Sequence, residues 1–177
     1  MKPISDTKVT LKPLSIECLD DFLEAVYESE NSVGVWLSWW KRDYSVSEAL
    51  EWFDFCSKEI DEKKSYNIGI FQNDDNTFAG GISINHIDSD NKIGNIGYWV
   101  RESRQNQGIA PAAVDLIKDF GFNTLNLVRL EIVILEDNVA SRKVAEKCGA
   151  KLDCIAEKRL IHEGKPMPAA LYSFVSQ

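Results

Sequence analysis

Ile96-Gly-Tyr-Trp-Val-Arg-Glu-Ser-Arg-Gln-Asn-Gln-Gly-Ile-Ala110 passes from an apolar run into a polar loop and then, at Pro111, into a helix. Several backbone N–H groups of Gln105-Asn-Gln-Gly108-Ile-Ala110 converge on that helix N-terminus. A helix N-terminus carries partial positive charge and unpaired donors, which suits a phosphate or pyrophosphate. Gly108 and Ala110 keep the backbone bare, so an anion can approach closely. Pro111 gives up no needed donor in a first turn. Read alone, the hexapeptide serves equally well as a polar loop that caps a helix.

Working outward, the pattern alternates between the two regular periods. Upstream, Val9 to Pro13 reads as a short strand stopped by proline. Ile16, Leu19, Phe22, Leu23 and Val26 fall at helical spacing and predict an amphipathic helix over residues 16 to 29. After the tryptophan-rich stretch Val33 to Trp40, Ser45 or Ser47 can cap a second helix that buries Ala49, Leu50, Phe53, Cys56 and Ile60. Three strand-like runs follow: Tyr66 to Phe71, Phe78 to Ile87 and Ile93 to Val100, each set off by turn residues. Downstream of the loop, a helix turns Ala113, Leu116, Ile117 and Phe120 inward, and Val128 to Leu135 is a strand. Asn138 to Lys147 is a short helix closed by Gly149, and Leu152 to Ala156 and Leu171 to Val175 are final strands. The expectation is an α/β (α+β) fold in one domain, residues 1–177. It has a mixed, mostly antiparallel sheet of about seven strands with helices on both faces.

Composition narrows the classes. The 177 residues are 44% hydrophobic and 10% aromatic, which fits a globular chain and not a disordered one. The net charge of −8 lacks the basic surplus of a nucleic-acid binder. No stretch approaches the roughly 20 apolar residues of a membrane span, so neither nucleic acid nor membrane is an expected partner. Cys18, Cys56, Cys148 and Cys154 form no Cys-x-x-Cys pair, and Met1 to Leu14 has no apolar leader core. Both point to a reduced, cytoplasmic setting. No histidine or cysteine spacing suggests a metal.

The loop and its neighbours together resemble the GNAT superfamily of N-acetyltransferases, and within it the RimJ/RimL ribosomal-protein family, RimL-like rather than RimJ-like. The tokens are Ile96-Gly-Tyr-Trp-Val100, the loop from Gln105 to Ala110, Asn138-x-x-Ser141, Glu146-Lys-Cys-Gly149, Leu171-Tyr-Ser and Val35-Trp-Leu-Ser-Trp39. The likeness runs over nearly the whole chain. It implies an acetyl-CoA-dependent transferase whose cosubstrate lies in a split between the fourth strand, ending at Val100, and the fifth, Val128 to Leu135. The pantetheine arm would pair with backbone at Trp99, Val100 and Arg101, like an added strand. The pyrophosphate would rest on Gln105, Asn106, Gln107, Gly108, Ile109 and Ala110. Asn138 would hold the arm, and Ser141 would face the leaving sulfur as general acid, unless it is a plain helix-surface serine. Trp36 and Trp39, with Asn85 and His86, would line the acceptor side, although tryptophans here also suit core packing.

The sequence departs from the family where carboxylates are expected. Asn95 stands where relatives carry Glu, and Leu160 where RimL-like proteins carry another, with Glu157 and Glu163 three residues to either side. The tyrosine that some relatives use as acid is Ala145 here. A protein α-amine, with a pKa of about 7.7 to 8.0, is partly neutral at pH 7, whereas lysine at about 10.4 is not. Lack of a strong base therefore favours an N-terminal α-amine, in the likeness of a ribosomal-protein substrate. A small-amine acetyltransferase and a CoA-binding module of weak activity are the alternatives, and a homodimer is left open.

Overall fold

The structure is a computed structural model and describes residues 1–176. Among the described residues, eight strands form one sheet in the order β1-β2-β3-β4-β5-β6-β8-β7. They are β1 (Ile4–Ser5), β2 (Val9–Lys12), β3 (Tyr66–Gln72), β4 (Phe78–Asp88), β5 (Ile93–Val100), β6 (Arg129–Leu135), β7 (Lys151–His162) and β8 (Lys165–Val175). The helices are α1 (Leu19–Glu28), α2 (Val46–Asp61), α3 (Ile109–Asp119) and α4 (Val139–Lys147). The eighth strand is the two-residue β1, too short to register as a period, so the expected fourth and fifth strands are β5 and β6. They pair in parallel and every other neighbouring pair is antiparallel.

Strand alternation sends side chains to two cores. On one face Ile68, Ile82, Ile84 and Ile96 meet Ala113, Val114 and Ile117 of α3 and Ala145 of α4. On the other, Phe71 and Phe78 meet Phe22, Leu23 and Val26 of α1 and Ala49 and Phe53 of α2. Each fully buried Ile or Phe is worth roughly 1.5–3 kcal/mol, so these two seams hold the helices to the sheet. Ser45 starts α2 with a capping box: it accepts from Glu48 N–H, and Glu48 accepts from Ser45 N–H.

The largest difference from expectation is at the C-terminal end. Leu152 to Ala156 and Leu171 to Val175 are parts of one long hairpin, β7–β8, joined at Glu163 and Gly164, both with positive φ. That pair makes the two-residue turn whose twist suits a hairpin. Register shifts between Leu152 and Cys154 and between Ala156 and Leu160 break the period-two pattern that would have revealed it. His162 ends β7 and stacks on Trp36 with ring centroids 6.3 Å apart.

Arg101 anchors α1 to the end of β5. Its Nε donates to Glu28 Oε1 at 2.9 Å and its NH2 to Oε2 at 2.7 Å, and the arginine side chain is 5% exposed. Hydrogen bonds from Arg101 bring Glu28 down to about 2 from the usual carboxylate 4.5. That stabilisation is full above pH 4.5 and fades as pH falls toward 2. Glu28→Ala leaves the buried guanidinium with the exposed Glu24 as its remaining ion-pair partner, beside the neutral Phe78 carbonyl. It is expected to cost about 3 kcal/mol in urea unfolding at pH 7, and to lose this part of the acid dependence.

Candidate active site

β5 and β6 pair only at Ile93–Asn95 with Arg129–Glu131 among the described residues. Beyond that the two strands part, and a cleft of about 660 Å³ opens between the end of β5, the start of α3 and the start of α4. Tyr98, Trp99 and Val100 form its β5 wall. Arg101 N–H donates to Ala79 on β4 at 2.9 Å. Backbone groups alternate along a strand, so the N–H groups of Tyr98 and Val100 face the split while that of Trp99 faces β4. Arg101, expected beside the pantetheine arm, does not border the cleft: its guanidinium is paired with Glu28 and its N–H with Ala79 O.

The loop supplies the anion-binding end. Asn106 (φ 61°) and Gly108 (φ 76°) are both left-handed, a conformation that gathers successive N–H groups into a concave nest. Gly108 is the N-cap of α3, so the N–H groups that follow it have no intrahelical acceptor. Gln105, Asn106, Gly108, Ile109 and Ala110 all border the cleft. Gln105 Nε2 also ties the loop to Val100 O at 3.1 Å. Gln107 turns away: its side chain donates to Ser103 O, and its carbonyl accepts from Lys8 Nζ at 3.0 Å. Lys143 and Lys147 border the cleft too, with Arg104, whose guanidinium is paired with Asp75, giving a cationic rim that the sequence reading missed. The spacing of Lys143 and Lys147, one turn apart on one helix face, was the available signal.

Asn138 and Ser141 sit across from β5. Asn138 is the N-cap of α4, its Oδ1 accepting from Ser141 N–H at 3.1 Å. The Asn-x-x-Ser spacing is thus a helix cap as well as a cleft wall. Ser141 Oγ donates to Tyr98 Oη at 3.1 Å, and Tyr98 Oη donates to Ser141 O at 2.8 Å. Burial pushes the Tyr98 phenol far above its ordinary range, so it stays protonated.

A second chamber, of about 370 Å³, lies on the α1–α2 side of β4 and β5 and shares Leu37, Tyr98 and Trp99 with the cleft. Trp39 and Asn85 line it, joined by Phe22, Tyr44, Trp52, Asn67, Phe78 and Ser83. Trp36 does not: it borders the larger cleft and stacks on His162. Trp40 packs into the second core against Trp99. His86 lines neither space. The register shift between Asn85 and Asp88 gives it a positive φ (48°) and turns it to solvent. Among the described residues no Asp, Glu or His lines either space. Glu157 and Glu163 are exposed on the hairpin, and Leu160 is paired with Met167. Asn95 sits beside the chamber, its Nδ2 donating to Asn85 Oδ1 at 2.9 Å and its own Oδ1 buried without a partner.

The sequence model of the acetyltransferase (GNAT) domain matches residues 8–151. The chain belongs to the GNAT acetyltransferase family. It is an acetyl-CoA-dependent transferase. The likeness to RimJ/RimL proteins drawn from the motifs holds in the relatives of this GNAT chain. It is 29% identical over 132 residues to the ribosomal-protein-serine acetyltransferase of Escherichia coli, covering 67% of this chain and 73% of that one. It is 24% identical over 155 residues to spermidine N(1)-acetyltransferase of Escherichia coli, covering 88% and 77%. Its fold matches a solved structure of RimL, a ribosomal alpha-N-protein acetyltransferase, in complex with coenzyme A. There the TM-score is 0.89 at 22% identity over 98% of both chains.

Proposed function

We propose that this acetyltransferase acylates the α-amine of a protein N-terminus, and that the amine is delivered to the cleft through the uncharged chamber. The observation that carries this reading is the lack of any carboxylate or imidazole in the lining of that chamber among the described residues. A polyamine acceptor, as the name of the spermidine relative implies for that protein, needs acidic partners for its distant ammonium groups. Here the walls are aromatic rings and amides, which accept hydrogen bonds and exclude water without holding a fixed cation by charge.

The cleft suits acetyl-CoA. The nest at Asn106 to Ala110 would receive the pyrophosphate, with Arg104, Lys143 and Lys147 close enough in the same cleft to favour phosphate charge. The unpaired edge of β5 offers the Tyr98 and Val100 backbone to the pantetheine arm. Bound acetyl-CoA supplies an activated acetyl thioester. The neutral amine forms the new N–C bond, the C–S bond breaks with its electron pair kept on sulfur, and the surplus amine proton leaves to water. The Val100 N–H is a donor for the carbonyl oxygen as it gains charge. Ser141 Oγ is the hydroxyl placed to stabilise the departing thiolate.

With no base to take a proton, the rate depends on amine that is already neutral. At pH 7 the neutral fraction of an α-amine exceeds that of lysine by about two orders of magnitude. The test offers one peptide with a free N-terminus and a blocked lysine, and its counterpart with the blocking reversed. The free N-terminus is expected to react about 100-fold faster, with a rate that rises with an apparent pKa near 8. Faster acetylation of the lysine peptide or of spermidine overturns the reading. Absence of CoA release with any amine makes the chain a binding module.

A further inference from the structure

We infer that Tyr98 is a positioning residue for Ser141, and that the two hydroxyls form a pair with two proton arrangements, one resting and one working. The inference rests on the proposed role of Ser141 at the leaving sulfur. Tyr98 belongs to β5 and Ser141 to the first turn of α4, 43 positions apart, and they meet across the split. Tyr98 Oη lies 2.8 Å from Ser141 O and 3.1 Å from Ser141 Oγ, so one phenol reaches two acceptors on the same residue. A hydroxyl has one hydrogen and two lone pairs, and rotation about its C–O bond chooses the acceptor.

In the resting arrangement Tyr98 donates to the Ser141 carbonyl and accepts the Ser141 hydroxyl hydrogen, which leaves Ser141 nothing to donate to a ligand. In the working arrangement the Tyr98 hydrogen turns to Ser141 Oγ. Ser141 O–H is then released from Tyr98 and free to point into the cleft that it borders. No covalent bond to hydrogen is made or broken between the two. A donor on Oγ polarises the Ser141 O–H and strengthens the bond it gives to a thiolate. The Ser141 carbonyl remains paired within its own helix, so the exchange orphans no buried acceptor. Tyr98 is half-buried and borders both spaces, where only a protonated phenol can serve.

The test compares Y98F, S141A and the double variant by kcat and KM for acetyl-CoA, with a free N-terminal peptide as acceptor. S141A is expected to lose 10² to 10⁴ in kcat, the usual size of lost acid help. Y98F is expected to lose about tenfold in kcat, the size of one hydrogen bond, with KM for acetyl-CoA near wild type. The double variant should be no slower than S141A, because Tyr98 acts only through Ser141. If Tyr98 merely braced α4, Y98F would instead raise KM and its effect would multiply with that of S141A; that outcome overturns the inference. So does a Y98F enzyme of wild-type kcat beside a crippled S141A. Wild-type turnover in S141A removes the role of Ser141 itself, and the pairing with it. Melting curves with and without acetyl-CoA verify that each variant is folded.

Discussion

Gly108→Asp is expected to abolish the stabilisation of this protein by acetyl-CoA. A ligand that binds only the folded state, at 100 times its dissociation constant, adds about 2.7 kcal/mol. For a chain of this length that is a rise of roughly 5–10 °C in melting temperature. Gly108 caps α3 at φ 76°, a conformation that Asp tolerates better than most residues. A Cβ added there meets nothing nearer than Lys8 Cε at 3.8 Å, so the variant has room to fold. What changes is charge: a carboxylate enters the concavity whose N–H groups and helix dipole await an anion. Gly108→Ala is the control, adding bulk without charge, and should keep most of the shift. Equal shifts in wild type and Gly108→Asp would show that the loop from Gln105 to Ala110 does not hold the phosphates.

That loop was legible in the sequence because everything it needs is local. Gly108, Ala110 and Pro111 lie within one turn of each other, and the strand before and helix after announce themselves by period. A cap at Ser45 or Ser47 and the strand from Ile93 to Val100 were readable for the same reason, and the structure chooses Ser45. The features that escaped are those made by chain segments that meet only in three dimensions. Arg101 looked like a cofactor residue because it follows the strand edge, yet its partner Glu28 stands 73 positions away. The Tyr98–Ser141 contact spans 43 positions, and nothing in Ile96-Gly-Tyr-Trp says which ring faces which space. His86 and the β7–β8 hairpin were misjudged through irregular register: an unpaired residue in a ladder reverses the in-and-out pattern that a period-two reading follows. Trp36, Trp39 and Trp40 fall within five positions of one short stretch, yet they border the cleft, the chamber and the core in turn.

Asn95→Glu is expected to place a general base beside a chamber whose lining holds no carboxylate or imidazole among the described residues. The side chain of Asn95 lies on the same sheet face as Asn85 and Gly97, which line the chamber, and it already hydrogen-bonds Asn85. Its Oδ1 is buried without a partner, so the native residue leaves an acceptor unused at that point. Glutamate adds one methylene toward the chamber and replaces the amide by a carboxylate. Asn85 can turn its amide to donate to that carboxylate, which holds the charge in place. Desolvation among Phe78, Trp99 and the other chamber rings raises the carboxyl above its ordinary pKa of about 4.3, closer to neutral pH, where a general base works best. General-base help typically brings 10² to 10⁴ in rate. The gain falls mainly on acceptors that arrive protonated, so the lysine peptide should gain roughly 100-fold at pH 7 while the α-amine peptide gains far less. The rising limb of the pH–rate profile should move below 8, to the pKa of the new carboxyl. Profiles of kcat/KM for both peptides, in wild type and variant, decide the matter. A variant that keeps the wild-type preference and the limb near 8 would mean that position 95 does not communicate with the acceptor amine. The proposed α-amine preference, if the peptides show it, would then have to come from the shape of the aromatic chamber and not from its missing charge.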